Sequence, residues 1–173
     1  MRTVTALRER PRGRVDVELD GARWRTLPAD AVVRSGLLVG RTLDREAART
    51  LARELRRAQA LGTAVRALRH RDLSRRALEA RIESPAREEA LDALERSGVL
   101  DDRRAASARA SGLAERGWGD EAIRYRLEQE GFAGEALEAA LAGLDPEHER
   151  ARVLAAKGRS ERWLAARGFA PEP

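Results

Sequence analysis

The stretch from Ser97 to Leu144 decides how the chain folds, and it reads SGVLDDRRAASARASGLAERGWGDEAIRYRLEQEGFAGEALEAALAGL. Glycines divide it into three segments of helical composition, and Gly131 stands where a glycine commonly ends a helix. In the last segment, apolar residues recur at the helical spacing i, i+3, i+4 and i+7. These residues are Leu137, Ala140, Leu141 and Leu144. The stretch therefore predicts three short helices.

Short polar side chains mark where these helices begin. Either Asp101 or Asp102 is suited to cap the first helix, because a carboxylate accepts hydrogen bonds from backbone N–H groups that lack partners. Asp120 and Glu121 place negative charge at the positive end of the second helix. The ends of the helices are thus encoded locally.

Two patterns of this stretch recur elsewhere in the chain. The spacing of Trp118, Ala122, Ile123 and Leu127 matches, 45 residues earlier, that of Leu73, Ala77, Leu78 and Ile82. The run LEQEGFAGE at 127–135 returns as LAARGFAPE at 164–172, an offset of 37 residues. Repetition on this scale is typical of supersecondary units that bury their apolar faces against neighbours. We predict three-helix repeats at 63–97 and 98–144, a truncated third repeat at 145–173, and a separate N-terminal region at 1–62.

The N-terminal region has the alternation of β-strands. Val15, Val17 and Leu19 alternate with acidic residues, and the Asp20-Gly21 pair favours a tight hairpin turn before a returning strand at 22–26. Thr3 to Leu7 is expected to add a third strand, and Pro28 and Gly36 to begin and end a short helix.

A longer helix is expected to follow, beginning at Thr42 or Asp44 and ending at Gly62. Its predicted inner face consists of Ala48, Leu51, Ala52, Leu55 and Gln59. Arginines occupy much of the remaining surface, and we favour a solvated face over contact with a phosphate backbone. Further inner stripes are predicted at Ala90, Leu91 and Leu94, and at Ala151, Leu154 and Ala155.

The composition excludes several classes of protein. The chain has no cysteine, which rules out disulfides and thiolate chemistry. It has no apolar run of membrane length, and the residues MRTVTALRERPR at its start lack the apolar region typical of a signal peptide. His70 and His148 lack ligand-spaced neighbours, and no phosphate-binding loop or nucleophile motif occurs. We expect a cytoplasmic, non-enzymatic protein of mainly α fold class, with no cofactor, no metal and no membrane contact.

The formal net charge of +5 conceals an asymmetry along the chain. Residues 1–82 carry 20 basic and 10 acidic side chains, whereas residues 83–173 carry 14 and 19. A basic half attracts nucleic acid or an acidic protein surface. Alternatively the bias reflects genome composition, since 33 of the 34 basic residues are arginine.

Three aromatic residues of the central stretch, Trp118, Tyr125 and Phe132, are chemically able to stack on nucleic-acid bases. Because they stand at helix junctions, we expect them in the core instead.

The run Gly98-Val99-Leu100-Asp101-Asp102, followed by the helix, Gly131-Phe132 and helix pattern, resembles the RecX family of bacterial regulators of the RecA recombinase. The N-terminal order, with Gly13-Arg14-Val15, Asp20-Gly21 and Leu27-Pro28, is similar too. The resemblance implies tandem three-helix repeats in an elongated, curved protein. It also implies binding to RecA and RecA–DNA filaments, with inhibition of ATPase and strand exchange. The chain departs from the family at Val99, where the family usually has an aromatic residue, and at Ala105, where it has phenylalanine.

Three functional hypotheses follow. The first is a monomeric regulator that binds RecA and the RecA–ssDNA filament, the second is a RecA-independent DNA-binding helical module, and the third is an adaptor for an unrelated protein. From charge and position, nine arginines are candidate contacts to the partner or to DNA. They are Arg69, Arg71, Arg75, Arg76 and Arg81 in the first repeat, and Arg103, Arg104, Arg124 and Arg126 in the second.

Overall fold

The computed structural model describes residues 2–171. Within this part the chain is mainly helical, with a small antiparallel sheet at its N-terminal end, as the sequence predicted. The elements, in order, are strands β1 (Arg2–Arg10), β2 (Arg14–Leu19) and β3 (Ala22–Pro28), helix α1 (Ala29–Arg34), strand β4 (Thr42–Leu43), and helices α2 (Arg45–Leu68), α3 (Arg75–Glu79), α4 (Arg87–Arg96), α5 (Asp102–Glu115), α6 (Asp120–Gln129), α7 (Gly134–Ala142), α8 (Glu147–Ala156) and α9 (Glu161–Ala166).

The chain divides into two compact units. The first, which we call the N-terminal unit, comprises Met1–Arg66 and Arg81–Leu94. The second, the helical unit, comprises Ala67–Ala80 and Glu95–Pro173. The division into four segments made from the sequence stays a prediction.

The sheet of the N-terminal unit has the strand order β3-β2-β1-β4. Strands β2 and β3 form the predicted hairpin, and both turn residues have positive φ, 51° at Asp20 and 81° at Gly21. Two consecutive positive φ values are the signature of a type I′ turn, whose twist matches that of the strands. Val4, Val17 and Leu27 are buried on this sheet, and they form one core with Leu51 of α2.

Helix α2 departs from the prediction. It does not end at Gly62 but continues to Leu68, and its first turn is capped by Asp44, whose Oδ1 accepts a hydrogen bond from Ala47 N at 2.8 Å. A glycine inside a helix costs only about 1 kcal/mol relative to alanine, which the burial of Ala60 and Ala64 on either side of Gly62 offsets.

The predicted inner face of α2 was also partly wrong. Ala48 and Gln59 are exposed, whereas Glu54 and Arg57 are buried beside Leu51. A hydrophobic pattern assigns charged side chains to solvent, so it misses a helix face that buries ion pairs.

The core of the helical unit lies among α5, α6 and α7. Ile123 and Leu127 of α6 are fully buried, and Leu137 and Ala140 of α7 pack in the same cluster. Leu141 and Leu144 are partly buried against it, so the stripe predicted on α7 is confirmed. The stripe predicted at Ala90, Leu91 and Leu94 is also buried.

The stripe predicted on α8 is not buried to this extent. Ala151 and Leu154 are half-buried, Ala155 is exposed, and α8 contains no fully buried residue. The buried apolar side chain of this segment is Phe169, which follows α9. Helix periodicity predicted which residues share a face but not how completely a neighbour covers that face.

Candidate partner-binding surface

Two glycine turns with the same geometry end α6 and α9. Gly131 has a φ of 87° and Gly168 a φ of 77°, the left-handed conformation that favours glycine. After each glycine, the N–H of a phenylalanine donates to the carbonyl of a leucine five residues earlier. Phe132 N donates to Leu127 O at 3.0 Å, and Phe169 N donates to Leu164 O at 3.2 Å. The sequence run that is repeated at an offset of 37 residues therefore corresponds to a helix C-terminus that occurs twice with the same geometry.

Each of these turns packs on the beginning of an earlier helix. The hydroxyl of Ser74, which caps α3, accepts from Ala77 N at 3.1 Å and donates to the carbonyl of Glu130 at 2.7 Å. The equivalent position 45 residues after Ser74 is Gly119, whose N–H donates to the carbonyl of Arg167 at 2.9 Å. The positive start of one helix thus meets the negative end of another in both places.

The approach is close enough to require glycine. A Cβ on Gly131 would lie 2.6 Å from Ser74 Oγ, and a Cβ on Gly168 would lie 2.6 Å from the Cβ of Ala122. A Cβ on Gly119 would overlap the carbonyl group of Gly168. Glycine at these positions permits contact between helix ends, in addition to ending a helix.

Carboxylates complete both contacts, again 45 residues apart. Oδ1 of Asp102, the first residue of α5, accepts from Arg75 N at 2.8 Å. Oε1 of Glu147, the first residue of α8, accepts from Asp120 N at 2.6 Å. Burial raises the pKa of the Asp102 carboxyl above its usual range, although the hydrogen bond from Arg75 N opposes this. We call each combination of a glycine turn, a helix start and a carboxylate a helix-end joint.

The structure also settles the two possible caps of α5. Asp101 is the N-cap, because its side chain accepts from Arg104 N at 3.0 Å. Asp102 belongs instead to a joint.

Three of the nine predicted partner-binding arginines form ion pairs within the chain. Arg75 Nη1 lies 2.7 Å from Glu95 and its Nε lies 3.1 Å from Glu79. Arg124 binds Glu138 through both terminal nitrogens, and this contact raises the pKa of the guanidinium and lowers that of the carboxyl.

Arg103 makes the longest of these ion pairs, 3.7 Å from Glu135, and both side chains are largely exposed. Such a pair contributes little to stability.

The other predicted arginines are less engaged. Arg69, Arg71, Arg76 and Arg81 are exposed, and within residues 2–171 their side chains form no ion pair or hydrogen bond. Arg104 reaches only the carbonyls of residues 98 and 99, at 3.5 Å. The side chains of Arg69, Arg71, Arg76 and Arg81 are therefore available to an external anion without loss of an internal partner.

Arg126 makes a different kind of contact. Its guanidinium carbon lies 4.0 Å from the ring centroid of Trp118, where Arg167 also lies at 4.4 Å. A cation beside an indole face is attracted by the negative π cloud. No spacing rule connects Arg167 to Trp118, so sequence reasoning missed this group.

The three aromatic residues expected in the core have different environments. Phe132 is buried, as predicted, and Trp118 is half-buried against the core. Tyr125 is 62% exposed, so its assignment to the core was wrong. It stands two residues from the buried Ile123, which places it toward the opposite side of a helix with 3.6 residues per turn.

Other arginines have structural contacts that the sequence did not indicate. Arg150 is mostly buried, donates to the carbonyl of Trp118 at 2.9 Å and pairs with Asp120. Arg57, which we placed on a solvated face, is buried and pairs with Glu89 at 3.0 Å. The partners are about 30 residues apart in sequence, so only the folded chain brings them together.

Both histidines are exposed, and among residues 2–171 no group of three or more acidic, histidine or cysteine side chains is placed to hold a metal ion. In the same part of the chain, none of the helices has the length and apolarity needed to cross a membrane.

Comparison with solved structures identifies the fold. A crystal structure of regulatory protein RecX matches this chain with a TM-score of 0.81, over 98% of this chain and 95% of that chain. The chain has the fold of RecX. The two sequences are 21% identical. No family model matches the sequence, and no curated protein is significantly similar to it. The resemblance to RecX found in the sequence motifs is thus confirmed at the level of the fold.

Proposed function

We propose that this chain is a regulator of the RecX family that acts on a RecA-type recombinase. It binds RecA and RecA–DNA filaments in the cytoplasm, without catalysis, and inhibits ATPase and strand exchange during recombination, DNA repair and the SOS response. The observation that carries the proposal is the match to RecX over nearly the whole of both chains.

The helix-end joints support a tandem arrangement. Ser74 and Gly119, with the carboxylates of Asp102 and Glu147, make equivalent contacts 45 residues apart. Units that join through one repeated contact build an extended surface. We propose that this surface contacts successive subunits of a filament.

Arginines without internal partners are the proposed contacts. Arg69, Arg71, Arg76 and Arg81 bind a carboxylate or phosphate without breaking an existing ion pair. Arg75 and Arg124 would first have to leave Glu95 and Glu138. We therefore rank the unpaired arginines above the paired ones.

The test is a RecA assay with single-stranded DNA. Substoichiometric wild-type protein should lower the DNA-dependent ATPase and strand exchange. The double variant Arg71→Glu, Arg76→Glu should lose most of this effect, whereas Arg152→Glu, an exposed arginine of α8, should retain it. Folded wild-type protein that changes neither reaction would disprove the proposal.

A second candidate function is RecA-independent DNA binding. The observation that favours it is the row of exposed arginines on α2, which includes Arg45, Arg49 and Arg56. Binding to duplex DNA without RecA, with affinity that falls steeply as salt rises, would support this alternative. Weak binding alone and firm capture by RecA–DNA filaments would favour the first.

A further inference from the structure

Five side chains of the helical unit form a continuous cation–aromatic cluster, which we call the arginine–tryptophan ladder. Arg126 and Arg167 lie 4.0 and 4.4 Å from the ring centroid of Trp118. Arg167 also lies 4.7 Å from Trp163, and Arg159 lies 4.9 Å from the same ring. Arg167 is thus shared by both indoles, and three positive charges are held close together.

The ladder holds its charges in place without neutralising them. Among residues 2–171, the side chains of Arg126 and Arg159 form no ion pair and donate no hydrogen bond. Arg167 donates only to the carbonyl of Arg116, at 3.3 Å. A guanidinium on an indole face keeps its N–H groups for an anion and has already lost part of its rotational freedom.

A groove of about 410 Å³ runs beside the ladder along α6. Trp118, Tyr125 and Arg126 line it, and Tyr125 is the most exposed large aromatic side chain among residues 2–171. The groove contains one carboxylate, Glu130, whose charge is matched by Arg109 with both oxygens 2.9 Å from Nε. The groove therefore combines the unneutralised guanidinium group of Arg126 with an open aromatic face.

We propose that the ladder and Tyr125 form a binding site for single-stranded nucleic acid. Phosphates bind the guanidinium N–H groups of Arg126, Arg159 and Arg167, and one base stacks on Tyr125. The strand is single because a base in a duplex is already stacked on both faces. An acidic protein surface would also contact the arginines, and competition with a polyanionic peptide distinguishes it from a nucleic acid.

The ring is tested first, with a fluorescein-labelled oligo(dT) of 12 nucleotides and fluorescence anisotropy at low salt. Tyr125→Ala should bind about tenfold more weakly, since a base stacked on an aromatic ring contributes that order of affinity. Tyr125→Phe keeps the ring and should bind like the wild type. Loss of binding in both variants, or in neither, would overturn the stacking role.

The charges are tested by salt titration. Three phosphate contacts predict a slope of log affinity against log salt of roughly −2, and Arg126→Gln should reduce its magnitude by about 0.7. Arg152→Gln removes an equal charge from the same unit and should leave slope and affinity unchanged. Circular dichroism spectra and melting curves establish that the variants are folded. Equal effects of both substitutions would overturn the site, because only general charge would then matter.

Competitors identify the ligand class. Unlabelled oligo(dT) should displace the probe at far lower concentration than poly(Glu) or a duplex of equal length. Displacement by poly(Glu) at the same charge concentration would assign the surface to an acidic protein, and equal displacement by duplex would exclude single-strand selectivity. Since no recombinase is present, failure here leaves the proposed effect on RecA untouched.

Discussion

The two units of this protein use carboxylates in different ways, buried ones in the N-terminal unit and half-buried ones in the helical unit. In the N-terminal unit, Asp16 accepts hydrogen bonds from Thr26 and Arg10, and Glu54 accepts from Arg34 at 2.9 Å. These contacts hold the pKa of both carboxyls below their usual range.

In the helical unit, Asp102 accepts from a backbone N–H, and burial raises the pKa of its carboxyl. Glu147 likewise accepts from backbone groups, at Asp120 N and Ala170 N. Glu54 pairs α2 with α1 and Asp16 joins neighbouring strands, whereas Asp102 and Glu147 connect helix ends through bonds to backbone N–H groups. The comparison shows that a carboxylate holds neighbouring strands or helices side by side, or joins two helix ends, depending on which donor it meets.

The largest expected effect is on the joints of the helical unit. Gly119→Ala places a Cβ against the Gly168 carbonyl and should reduce the free energy of unfolding by about 3 kcal/mol. The matched control is Gly112→Ala in α5, where a Cβ meets only the flexible Arg116 at 3.7 Å; it should stabilise by about 0.5–1 kcal/mol.

Urea unfolding measures both variants, and hydrogen exchange localises the change. The destabilisation should appear in the helical unit and not in the β-sheet of the N-terminal unit. Equal stability of Gly119→Ala and the wild type would mean that the joint does not need a close approach.

An intermediate effect is expected from the ion pair of the N-terminal unit. Glu54→Gln removes the charge that faces Arg34, and it should cost about 1–2 kcal/mol at pH 7 because Glu54 is buried while Arg34 is half exposed. Since the folded-state pKa is lowered, this contribution is present above the unfolded pKa of about 4.3 and is lost as pH falls further.

The measurement is urea unfolding between pH 3 and 8. The difference in the free energy of unfolding between Glu54→Gln and the wild type should be constant above pH 6 and should shrink below pH 4. Glu9→Gln, an exposed residue of β1, should change stability by less than about 0.5 kcal/mol throughout. A difference that persists unchanged at pH 3 would show that packing, not charge, explains the loss.

The smallest effect on stability is expected at Asp102, where the dependence on pH is the reverse of that at Glu54. Its raised folded-state pKa means that the folded state binds the proton more tightly, so its contribution is favourable at low pH and is lost as pH rises through that pKa. Asp102→Asn keeps an oxygen acceptor for Arg75 N and should match or exceed wild-type stability at pH 7, by less than about 1 kcal/mol.

As the pH falls toward 4, wild type should gain stability relative to Asp102→Asn. The same urea titration checks this. If Asp102→Asn instead became more stable relative to the wild type as the pH falls, burial would not be the cause of the raised pKa of Asp102.

Much of the local structure followed from the sequence. The hairpin at Asp20-Gly21 and the glycine turn at Gly131 were predicted because each depends on the backbone preferences of one or two residues. The sequence offered Asp101 and Asp102 as candidates for the N-cap of α5, and the structure shows that Asp101 is the N-cap.

The candidate site was much less predictable. Which arginines have partners depended on residues far along the chain, as with Arg124 and Glu138 or Arg109 and Glu130. The exposure of Tyr125 and the sharing of Arg167 by two indoles also had no signal in local spacing.

The sequence by itself determined the mainly helical class, the helix ends and the 45- and 37-residue offsets, because these depend on short-range sterics and hydrogen bonds. Only the tertiary structure decided that the repeated positions meet as joints, and that Asp102 serves a joint while Asp101 caps α5. Only the tertiary structure decided which charges remain free. Burial, pairing and cation–π contact depend on distances between residues that are remote in sequence, and local pattern carries no information about those distances.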